Sequence, residues 1–231
     1  MMSVTSSTRA PWTAALPRHT GSPSASRRRT SKLERSHCAG KSPSDSRGGR
    51  LSYSGKKAGR YGSVLAPGGE RGPWETAAAA AGSVLPIAVE QVSAEAAVAA
   101  LLGVEQGMPV VRRVRHALID GDVVQVQEAF YPLDVASSCG LEGPGKVVGG
   151  VLAAMTKNGL APRTVDEKVT TRMASESELE AFGVGERVPV LCVERVVRDA
   201  GGRVLEVLRV VGVGDRIELH YDALPLPRRT P

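Results

Sequence analysis

Aromatic residues are scarce in these 231 positions: two Trp, four Tyr and two Phe. The one strong basic cluster, "SRRRTSK" (26–32), therefore has no interleaved aromatics, and it can offer phosphates only a loose electrostatic contact. Cysteine is equally thin. Cys38, Cys139 and Cys192 stand at unrelated spacings, which excludes a disulfide framework or a cysteine metal box and leaves a reduced, cytoplasmic setting as the expectation. His116 and His220 are far apart, so neither a metal nor another cofactor is expected. No apolar run approaches the ~18–20 residues of a membrane span. There is no P-loop, no Ser-His-Asp order and no pair of catalytic acids.

Acidic residues are missing from one part of the chain only. Residues 1–57 carry 12 Lys+Arg against Glu34 and Asp45, a net +10, whereas residues 58–231 sum to −4. The overall +6 thus belongs to the first quarter, and the body is mildly acidic rather than a nucleic-acid surface. Residues 1–57 are rich in Ser, Arg, Gly and Pro, with too few apolar side chains to offset the entropy of ordering. They are expected to be a disordered tail, genuine or the product of a mis-started or out-of-frame translation. Their composition is also that of a transit peptide, but no amphipathic pattern accompanies it. Residues 58–80 form a Gly-rich transition, and the folded domain is expected over 81–226, opening near "GSVLPIAVEQV".

What the body does contain is an internal repeat. "SAEAAVAALLGVEQGMPVVRRVRHALIDGDVVQVQEAFY" (93–131) matches "SESELEAFGVGERVPVLCVERVVRDAGGRVLEVLRVV" (175–211), with Pro109 and Pro189 in equivalent places. Each copy reads as a serine N-cap, a short helix, a loop and a strand–turn–strand hairpin. Ser175 and Glu178 have capping-box spacing, and Ser93 is expected to cap the first copy's helix. Asp120-Gly121 and Gly201-Gly202 are placed to supply the positive φ of tight hairpin turns. Between the copies, "GGVLAAMTKNGLAP" (149–162) reads as a helix opening at a glycine pair, and "RTVDEKVTTRM" (163–173) as a strand. "RIELHYDALPL" (216–226) gives a last strand. The fold class is α+β: a mainly antiparallel sheet of about six strands, with short helices packed on one side.

The words "LLGVEQGMPVVRRVR", "DGDVVQVQEAFYP", "GGVLAAMTKNGL", "SESELEAFGVGERVPVLCVERVVRDAGGRVLEV" and "VGVGDRIELHY", in this order, resemble the UTRA domain, the effector-sensing half of GntR-type transcription regulators of the HutC subfamily. The resemblance covers roughly residues 74–222. It implies a chorismate-lyase-like fold, a small-molecule effector, a homodimer, and DNA as a partner by family analogy. The winged helix-turn-helix that precedes the sensor in that family has no recognisable counterpart in residues 1–73.

The resemblance also nominates site residues. Arg115 matches one of two arginines that the family turns toward the effector; Ala117 stands where the other is found. Strand alternation puts Val111, Arg113, Arg115 and Ala117 on one face. An arginine fork suits an anionic effector, unless Arg115 merely pairs with an acid on the sheet. Gln127 occupies a place where the family often has glutamate, and Glu206 keeps that glutamate in the second copy, with a salt bridge to Arg209 as its alternative. Gly149 and Gly150 open the central helix where an anion can be held, or they simply make a turn. Arg172 is the remaining effector-binding candidate. Three roles are compatible with this set: an effector sensor, a chorismate-lyase-like enzyme with Arg115 holding a carboxylate and Glu206 as general acid, and a ligand-free dimerisation module.

Overall fold

The computed structural model describes residues 51–56 and 82–222. Along the chain run β1 (Leu51–Lys56), β2 (Gly82–Ser93), α1 (Ala96–Leu102), β3 (Pro109–Ile119), β4 (Asp122–Pro132), α2 (Leu133–Ser138) and α3 (Val151–Lys157). They continue with β5 (Pro162–Met173), α4 (Glu176–Phe182), β6 (Pro189–Asp199), β7 (Val204–Val213) and β8 (Ile217–Asp222). Six strands form one antiparallel sheet in the order β2-β3-β4-β7-β6-β5, while β1 pairs with β8 in parallel. β1 lies inside the stretch that composition assigned to a disordered tail. Its backbone groups find partners along β8, which the tail's own composition could not announce. The rest of the expected tail and the Gly-rich transition lie outside the described residues.

The repeat is larger than a helix and a hairpin. β2-α1-β3-β4 matches β5-α4-β6-β7, so the flanking strands β2 and β5 belong to it as well. Even the irregularities recur. The β3–β4 pairing shifts register so that Val124 is the extra residue, and the β6–β7 pairing does the same at Leu205. The turns differ. Asp120 and Gly121 both take positive φ (50° and 90°), the two-residue form that matches strand twist. The second hairpin needs positive φ only at Gly202, because Asp199 Oδ1 accepts from the N–H groups of Gly201 and Arg203 and closes a longer loop.

The first helix begins differently from expectation. Ser93 ends β2, and the N-cap of α1 is Glu95, whose side chain makes no capping bond. The structural equivalent of Ser175 is therefore Glu95. At Ser175 the capping box is complete: its Oγ accepts from Glu178 N–H, and Glu178 accepts from Ser175 N–H.

Helices cover both faces of the sheet, not one. On the back face, Val98, Ala99 and Leu102 of α1 pack with Val110, Phe130, Val196 and Val207. On the other, α2 and α3 bring Val135, Ala136, Val151, Leu152 and Met155 against Val111, Ala129, Tyr131, Leu208 and Val210. Neighbouring strand residues point to opposite sides, so two stripes of alternating Val and Leu need two covers. β4 and β7, the central pair, are buried almost throughout.

Candidate functional site

The face covered by α2 and α3 is not filled to its middle. There Arg115 stands opposite Gln127, and Gln127 opposite Val210; one step along, Arg195 stands opposite Leu208, and Leu208 opposite Ala129. With the loop before α3 as its other wall, this floor leaves a cleft of about 940 Å3, solvent at the mouth included. Its lining mixes Val89, Val151, Leu152, Leu208 and Val210 with a few convergent polar groups.

Arg115 is half-buried and its Nε donates to Gln127 Oε1 at 2.6 Å; Gln127 in turn donates from Nε2 to Gln125 Oε1 at 2.8 Å. Gln127 is thus oriented as an acceptor for the arginine, a neutral partner that leaves the charge uncompensated. Among the described residues Arg115 takes part in no ion pair, so the alternative of an acidic neighbour on the sheet finds no support. Glu206 lies further along the same face of the sheet, two residues beyond Leu208, buried and accepting a 2.7 Å hydrogen bond from Tyr131 Oη. Burial, then the Glu206 carboxylate, pushes the Tyr131 phenol well above its ordinary range, so it remains a donor. The expected alternative for Glu206, a bridge to Arg209, fails on geometry. Three residues apart on one strand, the two point to opposite faces, and Arg209 pairs with Glu194 on the back.

Gly150 borders the cleft as the N-cap of α3, with φ 86°. Gly149, at φ 75°, makes the turn before it and is not among the lining residues. The helix begins at Val151, two residues later than the glycine pair suggested. Arg172 is nowhere near the cleft. Its guanidinium holds Glu178 with two bonds of 2.6 and 2.7 Å, anchoring the start of α4 on the back face. Glu178 is fully buried there. Burial alone would raise its pKa, but the hydrogen bonds from Arg172 and from Ser175 prevail and lower it. Arg172 therefore serves the fold rather than the cleft. Cys192, on the same face, is buried, and burial pushes its thiol up.

Two lining arginines were not nominated from sequence. Arg113 donates to the carbonyls of Leu141, Gly143 (2.7 Å) and Gly145 (2.6 Å), so it pins the loop that forms the cleft wall. Burial lowers its pKa, and the charge of Arg115 beside it adds to that. Arg195 donates from Nε to Glu167 Oε1 at 2.9 Å. The signal that finds it is the repeat itself: Arg195 is Arg115 carried forward by the Pro109–Pro189 offset.

The UTRA domain model matches residues 84–218. The chain belongs to the UTRA domain family. The fold agrees in known structures. A protein assigned to the GntR family of transcriptional regulators aligns with TM-score 0.63 at 24% identity, over 77% of this chain and 70% of that one. The effector domain of PhnF from Mycobacterium smegmatis aligns with TM-score 0.57 at 24% identity, over 66% and 94%. A GntR-family transcriptional regulator from Bacillus cereus gives 0.54 at 18%, over 64% and 100%. No curated protein matches the chain. A UTRA domain is the effector-sensing part of a GntR-type transcription regulator, and residues 84–218 are that part here. None of the helices among the described residues is long and apolar enough to cross a membrane.

Proposed function

We propose that this UTRA domain senses a small anionic molecule in the cleft between its sheet and α3. In this reading Arg115 holds the acid group, Gln127 aims the guanidinium, and Glu206 accepts from a hydroxyl or amine elsewhere on the ligand. The observation that carries it is Arg115: a cleft-lining arginine with a neutral partner and, among the described residues, no ion pair. An uncompensated fork beside apolar walls favours carboxylate or phosphate over a neutral ligand. The bound state then shifts the equilibrium of a homodimeric, HutC-type regulator acting on DNA in the cytoplasm, as a ligand can when it binds two conformations unequally.

Sensing is preferred to turnover because the similar structures described above are named as regulators or their effector domains. A thermal-shift screen of small carboxylates and phosphates against the full chain tests the reading, since a ligand that binds the folded state raises its melting temperature. Anionic compounds are expected to raise it, the rise is expected to vanish in Arg115→Gln, and the compound is expected to be recovered unchanged. Stabilisation that survives Arg115→Gln would remove this arginine from the site. Conversion of the bound acid to product would favour the lyase-like alternative.

A further inference from the structure

We infer that Arg195 is a second anion-holding residue of the cleft, so that the preferred ligand carries two acid groups, one for the arginine of each repeat. The inference rests on the anion-sensing reading above and adds the ligand's second charge. Its first support is placement. Arg115 on β3 and Arg195 on β6 are equivalent residues of the two repeats, both line the same cleft, and they flank its floor symmetrically. β3 and β6 are three strand spacings apart, about 14 Å. Arg115 already turns inward to Gln127 on β4, whereas Arg195 is turned outward to Glu167 on β5 and would turn inward on leaving it. Two cations held on strands that far apart suit a short two-headed acid better than one inorganic ion.

A second support is where Arg195 stands. It also lines a smaller cavity, with Gln125, Leu191, Ile217 and Leu219, that continues the cleft toward β8. Arg195 thus stands where the cleft meets a smaller, mostly apolar recess, a costly place for a guanidinium unless it meets an anion. In this structure the anion is Glu167, directly opposite on β5. Among the described residues β5 is an edge strand, paired with β6 alone. Glu167 therefore holds Arg195 as a latch, and the ligand's second acid group takes its place. The asymmetry has a use: Arg115, with its neutral glutamine, captures either kind of acid, while the latched Arg195 responds to a two-headed one.

The test is calorimetric titration of the full chain with linear dicarboxylates from succinate to suberate, each against the monocarboxylate of equal chain length. The best dicarboxylate is expected to bind at least ten-fold more tightly than its monocarboxylate. Arg195→Gln is expected to abolish that advantage, read as the ratio of the two affinities within the same variant. Glu167→Gln, which releases the latch and keeps the shape, is expected to tighten dicarboxylate binding several-fold. Arg115→Gln is expected to weaken both classes. Equal affinity for the two classes in the unaltered chain overturns the inference, as does a dicarboxylate advantage that survives Arg195→Gln. If Arg195→Gln does not fold, Glu167→Gln decides, and unchanged or weaker dicarboxylate binding overturns the proposal. In each of these cases a loss confined to Arg115→Gln leaves the anion-sensing reading standing. Binding of both classes that is indifferent to Arg115→Gln removes that reading, and the inference falls with it.

Discussion

Glu128 on β4 stands directly opposite Arg209 on β7, and the two are equivalent residues of the two repeats. The axis relating the repeats therefore passes between this carboxylate and this guanidinium on the back face. From it a row of charges runs outward. Arg112 bonds Glu128 at 2.6 Å and also pairs with Glu90, and on the other side Arg209 lies 3.5 Å from Glu194. Arg209 and Glu128 are both buried, and the guanidinium also sits over the Phe130 ring at 5.7 Å.

Removing one member of such a row leaves its neighbours desolvated and unbalanced. Arg209→Met is expected to cost about 3–5 kcal/mol, because Glu128 and Glu194 then lose the cation between them. The double variant Arg209→Met/Glu128→Leu is expected to lose less than the single one, since Arg112 keeps Glu90 and the central pair becomes apolar. Urea unfolding of the three proteins checks the order of their midpoints.

Glu178 makes the stability depend on pH with a sign that one substitution reverses. Its folded pKa lies below the ordinary 4.5, so the stabilisation is complete above that value and is lost as pH falls through the folded pKa. In Arg172→Gln burial dominates, the carboxyl's folded pKa moves above the ordinary value, and protonation becomes favourable. That variant is expected to be strongly destabilised at neutral pH and to recover part of the difference as the solution is acidified toward pH 4.5. Melting temperatures of both proteins across the acid range read this directly. Parallel curves would exclude Glu178 as the source.

Tyr131→Phe removes the donor to Glu206 without changing the packing shape. A buried acceptor left short of a partner costs about 1–3 kcal/mol. The expected loss in unfolding free energy falls in that range, and it is expected to be much smaller in Tyr131→Phe/Glu206→Leu, where neither polar group remains. Denaturant titration of single and double variants separates the two outcomes.

Gly212 is fixed by space. A Cβ there would lie 1.7 Å from Ile217 Cδ1, so β8 folds back over a position that must have no side chain. Gly212→Val is expected to displace Ile217, cost about 1–3 kcal/mol as overpacking does, and raise hydrogen exchange in β8 ahead of the central strands. Unchanged exchange in β8 would show that the side chain of Ile217 absorbs the clash by itself.

Much of the fold was legible because period-2 Val and Leu runs, turn glycines and a repeated word carry local physics. The capping box at Ser175 is one case and the Asp120-Gly121 turn another. What stayed hidden depended on contacts distant in sequence. Ser93 has the chemistry of a cap, yet β2 pairing with β3 extends through Ser93 and pushes the helix start beyond it. Arg172 was a candidate only by its place in the resemblance, and its bonds to Glu178 put it on the back face instead. The cleft was half legible. Arg115, Gln127 and Glu206, named by alternation and resemblance, line it; Arg195 was within reach of the repeat offset, whereas Arg113 required knowing which loop it meets.

The helices lie across the seam. α1, from the first repeat, packs on β7 of the second, and α4, from the second, packs on β4 of the first. Each half thus completes the other's core, and its own helix covers its own last strand only in part. A polypeptide severed in the loop between α2 and α3 would yield two pieces that are each incomplete and mutually complementary. Such pieces should be unfolded apart and reconstitute when mixed. A chain emerging from the ribosome faces the same condition: α1 has only Val110 and Phe130 of its own repeat to sit on until residues beyond 204 have been made.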